Sequence, residues 1–213
     1  MAQRWLLGLG VVFMAWLPLA DAAAGEGGCK AKVKSRARDE LVLSFTFDRN
    51  DVLLGKDDGF DTVSLRDGVM PEDEPGTPWL PAVYANILLP ADAEVQRVET
   101  AVVREVLVAG KARVWPAQPF LPAGDRRPTC VPPKEGAYRG KGKTQTVAPS
   151  TPATVDGMTY LPVRINPVRW VPDTGNLYLA EDLQVTVRLK RTGRKPRVHP
   201  RRFELFQIGR AHV

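Results

Sequence analysis

The chain has 213 residues, 44% apolar and 25% charged, which supplies a sizeable core and excludes wholesale disorder. Sixteen of its 19 prolines fall between Pro71 and Pro172. A proline costs about 3 kcal/mol inside a helix, so a helical bundle is excluded over that stretch, and the Phe, Trp, Tyr and Val content points to a mostly β chain. The formal net charge of +6 sits in one place: Leu183–Phe203 holds eight basic residues and no acid, leaving 22 basic against 24 acidic residues elsewhere.

At the N-terminus, Arg4 precedes the uncharged apolar run Trp5–Leu19 and the small residues Ala20–Ala24. This is the three-part pattern of a secretory signal peptide over 1–22, with cleavage after Ala22 or Ala24 fitting equally well. The run is shorter than the roughly 20 residues a membrane span needs, so no stable membrane anchor is expected. Residues 23–40 read as a flexible N-terminal segment. Export to the periplasm, outer surface or extracellular space permits a disulfide between Cys29 and Cys130, though spacing alone does not establish that they meet.

A β domain is expected over 41–190. Leu41–Phe47 alternates as a half-buried antiparallel strand, and short strands follow around Val52–Leu54 and Thr62–Leu65. The acids Asp48, Asp51, Asp57, Asp58 and Asp61, with Asn50, lack the spacing and central glycine of a calcium loop and fit turn chemistry instead. Val83–Leu89 alternates and ends at Pro90. Asp92–Ala109 matches both a helical stripe and a strand face; its β-branched content selects strand. Trp115–Pro133 reads as an extended, Pro-rich loop and Lys134–Ser150 as an exposed, mobile one. Strands resume at Tyr160–Ile165, Val168–Val171, Leu177–Leu179 and Leu183–Leu189, with a turn over Pro172–Asn176. Many short strands with frequent turns indicate an all-β, antiparallel β-sandwich, jelly-roll-like.

Chemistry-bearing groups are sparse. Only His199 and His212 occur, both near the C-terminus, so a Cys–His or Ser–His dyad or a His-based metal site has little to draw on. Neither a metal nor any other cofactor is expected, and no complete enzyme is read within these residues. The basic stretch 191–207, with Arg191, Arg194, Lys195, Arg197, Arg201 and Arg202, has three readings: a patch for nucleic acid or anionic lipid, a solvated linker, or a linker that trypsin-like proteases cut. In an exported chain nucleic acid is disfavoured, and a cuttable linker is the reading adopted. Residues 208–213 have the sequence that the start of a common sequencing adapter would encode, so the native protein is expected to continue beyond Gln207.

Two segments carry a family likeness. Pro75-Gly76-Thr77-Pro78-Trp79-Leu80-Pro81, leading into Ala85–Val95, resembles the opening of gingipain-type propeptides. Tyr160–Leu177, with its Pro-Val-basic-aromatic step and Thr-Gly turn, resembles their second hallmark, and the likeness spans roughly Val42–Leu189. It implies a jelly-roll-like sandwich that precedes a secreted cysteine endopeptidase domain, assists its folding and keeps it latent until cleaved away. The partner would be that protease domain in cis, which this chain lacks. The oligomeric state stays open. The resemblance also implies an arginine presented to the protease's specificity pocket, and Arg139-Gly140 is the step nominated: glycine lets backbone approach closely and a long cation can enter an acidic pocket. An ordinary solvated basic loop is the competing reading there. The competing reading of the whole chain is a secreted β-sandwich binding or adhesion module of another multidomain surface protein.

Overall fold

The structure is a computed structural model that describes residues 28–120, 130–142, 146–155 and 158–193. Within them the chain forms antiparallel sheets and no α-helix. Its strands are β1 (Lys30–Arg36), β2 (Glu40–Thr46), β3 (Val52–Asp57), β4 (Phe60–Leu65), β5 (Val83–Leu89), β6 (Ala93–Ala109), β7 (Thr146–Pro149), β8 (Ala153–Val155), β9 (Met158–Asn166), β10 (Val168–Val171) and β11 (Asn176–Arg191).

β11 organises the five-stranded sheet. Along one edge it pairs with β6 from Leu177–Ala109 to Arg191–Ala93. Its other edge is shared end to end by β10, through Val168–Leu179, and β2, through Leu43–Val185. β1 completes that side by pairing with β2. In the four-stranded sheet β9 is central, with β5 on one edge and β7 and β8 on the other. The chain passes from β9 in one sheet to β10 in the other at Pro167, which has no N–H to leave unpaired. Its carbonyl accepts from Ala180 N at 2.9 Å.

Alternation explains which side chains face the shared core. Val42 and Ser44 on the other face of β2 are buried too, so that strand is not half-buried as expected. Leu41, Leu43 and Phe45 of β2 share a face with Leu183, Val185 and Val187 of β11. They meet Val83, Ala85, Ile87 and Leu89 of β5 and Leu161, Val163 and Ile165 of β9 in one buried cluster. The hairpin β3–β4 stands apart as a two-stranded sheet. Asp58 and Gly59 both take positive φ at its turn, +46° and +80°, which is what a tight hairpin connection demands.

Three further expectations are corrected. The flexible segment expected over 23–40 contains β1: Ala31 and Val33 pack toward the core opposite Phe45 and Leu43, while Lys30, Lys32 and Lys34 are exposed. Leu177–Leu179 and Leu183–Leu189 are one strand, bent by register shifts around Ala180–Asp182. Within the polar stretch expected as a mobile loop lie a 3-10 turn, Glu135–Tyr138, and strand β7. The strand reading of Asp92–Ala109 is borne out from Ala93 onward.

Candidate functional site

A bundle of non-repetitive segments lies beside the sheets and presents the Arg139–Gly140 step. Its base is Trp170 of β10, whose Nε1–H donates to the Ala112 carbonyl at 3.0 Å in a buried hydrogen bond. Tyr138 packs edge-on against that indole, with ring centroids 5.0 Å apart, and donates its hydroxyl to the Val114 carbonyl at 2.7 Å. Burial raises the Tyr138 phenol pKa above its ordinary value, with Arg113 pulling the other way. Tyr138 therefore stays a neutral donor at physiological pH.

The approach to this anchor is pinned as well. Gln118 grips Val131 through both ends of its amide, accepting from Val131 N at 2.8 Å and donating to its carbonyl at 3.2 Å. Lys134 N donates to the Gly76 carbonyl at 2.8 Å, and Gly76 holds φ +86° where a Cβ would press within 2.9 Å of the Pro132 carbonyl. That explains the glycine in the Pro75-Gly76-Thr77-Pro78 turn.

Beyond Tyr138 the chain becomes extended at Arg139, with φ −129° and ψ 154°. Its side chain is 73% exposed and, among the described residues, paired only with Glu135, four residues earlier and equally open. Such an exposed pair stabilises little, so the guanidinium is available for exchange to another carboxylate. Gly140 then turns at φ +83°. Its N–H donates to Asp173 Oδ1 at 2.7 Å, and its carbonyl accepts from Asp173 N at 3.3 Å. Asp173 belongs to the Pro172–Asn176 turn between β10 and β11, closed by Gly175 N to the Val171 carbonyl at 2.8 Å. Gly142, at φ +71°, runs so close to β10 that a Cβ would sit 1.9 Å from the Trp170 carbonyl oxygen.

The other nominated residues fare differently. Arg191 is no linker residue: it ends β11, donates from Nε to the Arg38 carbonyl at 2.8 Å and pairs with Asp92. The domain thus runs through Arg191, because Thr192 N also ties to the Asp92 carbonyl at 2.7 Å. Ala22, Ala24, Arg194, Lys195, Arg197, Arg201 and Arg202 lie outside the described residues. Cys29 and Cys130 are both free, the first partly buried and the second exposed. Burial, reinforced by Asp67, pushes the Cys29 thiol up from 9.0 to about 12, which makes it a poor nucleophile.

Three of the acids of 48–61 have structural partners. Asp48 accepts from Asn50 N at 2.8 Å, buried Asp51 pairs with Arg66 at 2.9 Å, and Asp61 accepts from Arg113 N at 2.7 Å. Among the described residues no helix is long and apolar enough to cross a membrane. Tyr138, Asp173, Gln118 and Gly142 are the site residues that sequence reading passes over. Each acts through a partner far away in the chain, and only Asp173 carries a signal, as part of a turn.

What the arrangement can do is present a cation. It holds an extended arginine on a loop anchored at both sides, with no nucleophile or acid–base pair beside it among the described residues. The fold is one found in solved gingipain structures. It is similar to two solved structures: the complex of Porphyromonas gingivalis RgpB pro- and mature domains, with TM-score 0.59 and 16% identity over 75% of this chain and 83% of that one; and a structure addressing the zymogenic latency of gingipain K from the same organism, with TM-score 0.59 and 22% identity over 76% of this chain and 92% of that one. No protein-family profile and no curated protein sequence matches the chain.

Proposed function

We propose that this chain is the exported propeptide of a gingipain-type cysteine endopeptidase, with a jelly-roll-like β-sandwich that assists folding of the protease and keeps it latent. Its action is steric: the sandwich lies over the catalytic cleft and Arg139 enters an acidic specificity pocket, exchanging Glu135 for a carboxylate of the enzyme. Release follows cleavage in the basic stretch after the domain, at Arg194, Lys195, Arg197, Arg201 or Arg202. Arg191 is excluded from that set, because its side chain and the following residue are tied to the sheet. The protease, in cis in the native protein, is the partner.

The observation that carries this reading is the exposed, extended Arg139 on an anchored loop of a fold shared with gingipain pro-domain structures. The competing adhesion-module reading gives no reason for a loop held so firmly to display a nearly unpaired arginine. The test is inhibition of an arginine-specific, gingipain-type endopeptidase by the wild-type chain and by Arg139→Ala. The proposal expects the inhibition constant to rise at least about 100-fold, as for an interface residue whose truncation is a hot spot. Unchanged inhibition by Arg139→Ala would remove Arg139 from the mechanism.

A further inference from the structure

The domain pairs its arginines with acids almost everywhere. Arg66, Arg104, Arg164, Arg169, Arg188 and Arg191 each face a carboxylate. The first strand is the exception. Along and just beyond β1, Lys30, Lys32, Lys34, Arg36 and Arg38 recur at every second residue, and all five are exposed. None of them has an acidic partner among the described residues. The two acids that follow, Asp39 and Glu40, face Arg191 and Arg188 of β11 instead.

β1 is an edge strand, paired only with β2 among the described residues. Lys30 and Lys32 lie opposite Thr46 and Ser44, on the outer face of the sheet. The register then slips between Val33 and Ser35, which leaves Lys34 at the irregularity and sets Arg36 opposite Leu41, a core residue. The row therefore wraps the edge instead of lining a concave site. Arg191 Nε donates to the Arg38 carbonyl at 2.8 Å, which brings the basic end of β11 to the same corner. Alternate residues on a strand stand about 7 Å apart, within a Debye length of about 8 Å, so these charges repel one another with little screening. Lysine on an edge strand keeps it from pairing with another chain, but that need does not call for five cations without a counter-charge.

A convex row of uncompensated cations fits a flat anionic surface. Residues 30–40 hold no aromatic side chain on which a base could stack, which sets nucleic acid aside. Their largest apolar side chain, Val33, packs toward the core and is not free to enter acyl chains. We propose that β1 is a membrane contact, in which Lys30, Lys32, Lys34, Arg36 and Arg38 bind the phosphate headgroups of anionic lipids and hold the domain at a lipid surface by charge alone. Headgroup attraction adds up over the basic residues near the surface and decays within a Debye length, so the binding is steeply salt-dependent. The contact needs neither Arg139 nor a protease, and it stands or falls independently of the propeptide reading.

The experiment uses the chain from residue 23 onward, because the apolar run before it would itself enter lipid; every described strand lies downstream. Binding is measured by cosedimentation with vesicles of phosphatidylcholine alone and of phosphatidylcholine with about one-third phosphatidylglycerol. Partitioning onto the anionic vesicles should be at least about tenfold stronger, and should fall at least about tenfold between about 50 and about 200 mM salt. Lys30→Gln, Lys32→Gln and Lys34→Gln together should lower it at least about tenfold. The control combines Lys56→Gln, Lys111→Gln and Lys141→Gln, which remove the same charge at exposed positions outside β1, and should stay within about twofold of wild type. Residues 194–202 are the same in every variant, so their charge cancels from the comparison. Lysine acetylation of the wild-type chain gives a readout that needs no variant. Anionic vesicles should slow labelling of Lys30, Lys32 and Lys34 at least about threefold relative to Lys56 and Lys111. No preference for anionic vesicles, equal losses in the two triple variants, or uniform acetylation would each overturn the proposal. Tight binding to dextran sulfate with none to vesicles would assign the row to an acidic glycan and overturn it as well.

Discussion

Around Leu183 the chain is held by repetition, and around Tyr138 by single contacts. In the sheets each apolar side chain has neighbours two residues away on its own strand and across both flanking strands, so Leu183, Val185 and Val187 are all fully buried. In the bundle that carries Arg139, few ladders exist. Isolated bridges such as Pro78–Pro116, the Gln118 grip, the Trp170 and Tyr138 hydrogen bonds and three glycines at positive φ do the holding. A sheet built by repetition loses stability in proportion to what is removed from it. A bundle built from single contacts loses its shape at one place while the rest persists, which suits the proposed presentation of one side chain in one posture.

The difference predicts a graded set of outcomes. Leu183→Ala empties a fully buried site opposite Phe45, and should destabilise the whole domain by about 3 kcal/mol in urea titration. A loss under about 1 kcal/mol would mean that the sheet core is not the dominant source of stability. Gly142→Ala places a methyl group against the Trp170 carbonyl and strains a positive φ. It should cost about 2 kcal/mol, with amide exchange quickening over residues 135–142 while the strands keep their protection.

Tyr138→Phe removes only the hydroxyl that donates to Val114. It should lower stability by about 1 kcal/mol, and its sharper signature is faster exchange near Arg139 with the sheet unchanged. If the strands of the five-stranded sheet lose protection in parallel with the loop, the two regions are one cooperative unit and the comparison fails.

The smallest effect is alkaline. The Cys29 thiol is raised from 9.0 to about 12 in the folded chain, so its contribution is fully present below pH 9. It falls as the unfolded thiol ionises, and it is gone once pH passes through about 12. Stability should therefore decline between these limits with a slope approaching one proton per pH unit, more steeply in wild type than in Cys29→Ala. At about pH 9.5 the loss is under about 1 kcal/mol. Below pH 9 the same burial makes Cys29 alkylate far more slowly than exposed Cys130, and equal labelling rates would contradict it.

How much of this is legible in the sequence follows from the same contrast. β2 and β5 can be located, because alternation over Leu41–Phe47 and Val83–Leu89 is a local signal. β2 is nonetheless buried on both faces, with Val42 and Ser44 covered as well, where alternation implies a half-buried strand. β1 escapes because only Ala31 and Val33 carry its apolar face, and five basic residues between Lys30 and Arg38 make it resemble a solvated tail. β11 reads as two strands because Glu181 and Asp182 interrupt its pattern where the register shifts. Arg139–Gly140 can be nominated from a likeness, but its posture cannot. That posture depends on a carbonyl at Val114, an indole at Trp170 and a carboxylate at Asp173, all of them distant from it in the chain. The end of the domain is hidden for a similar reason: the partners that tie Arg191 to the sheet are Arg38 and Asp92.

The central claim is that this domain covers the catalytic cleft of a gingipain-type cysteine endopeptidase. It is tested most directly by asking whether the wild-type chain, at one equivalent, protects the enzyme's active-site cysteine from a covalent active-site-directed label. The account predicts near-complete protection that fades when the complex is diluted below its dissociation constant. Labelling at the same rate with and without the chain would contradict it.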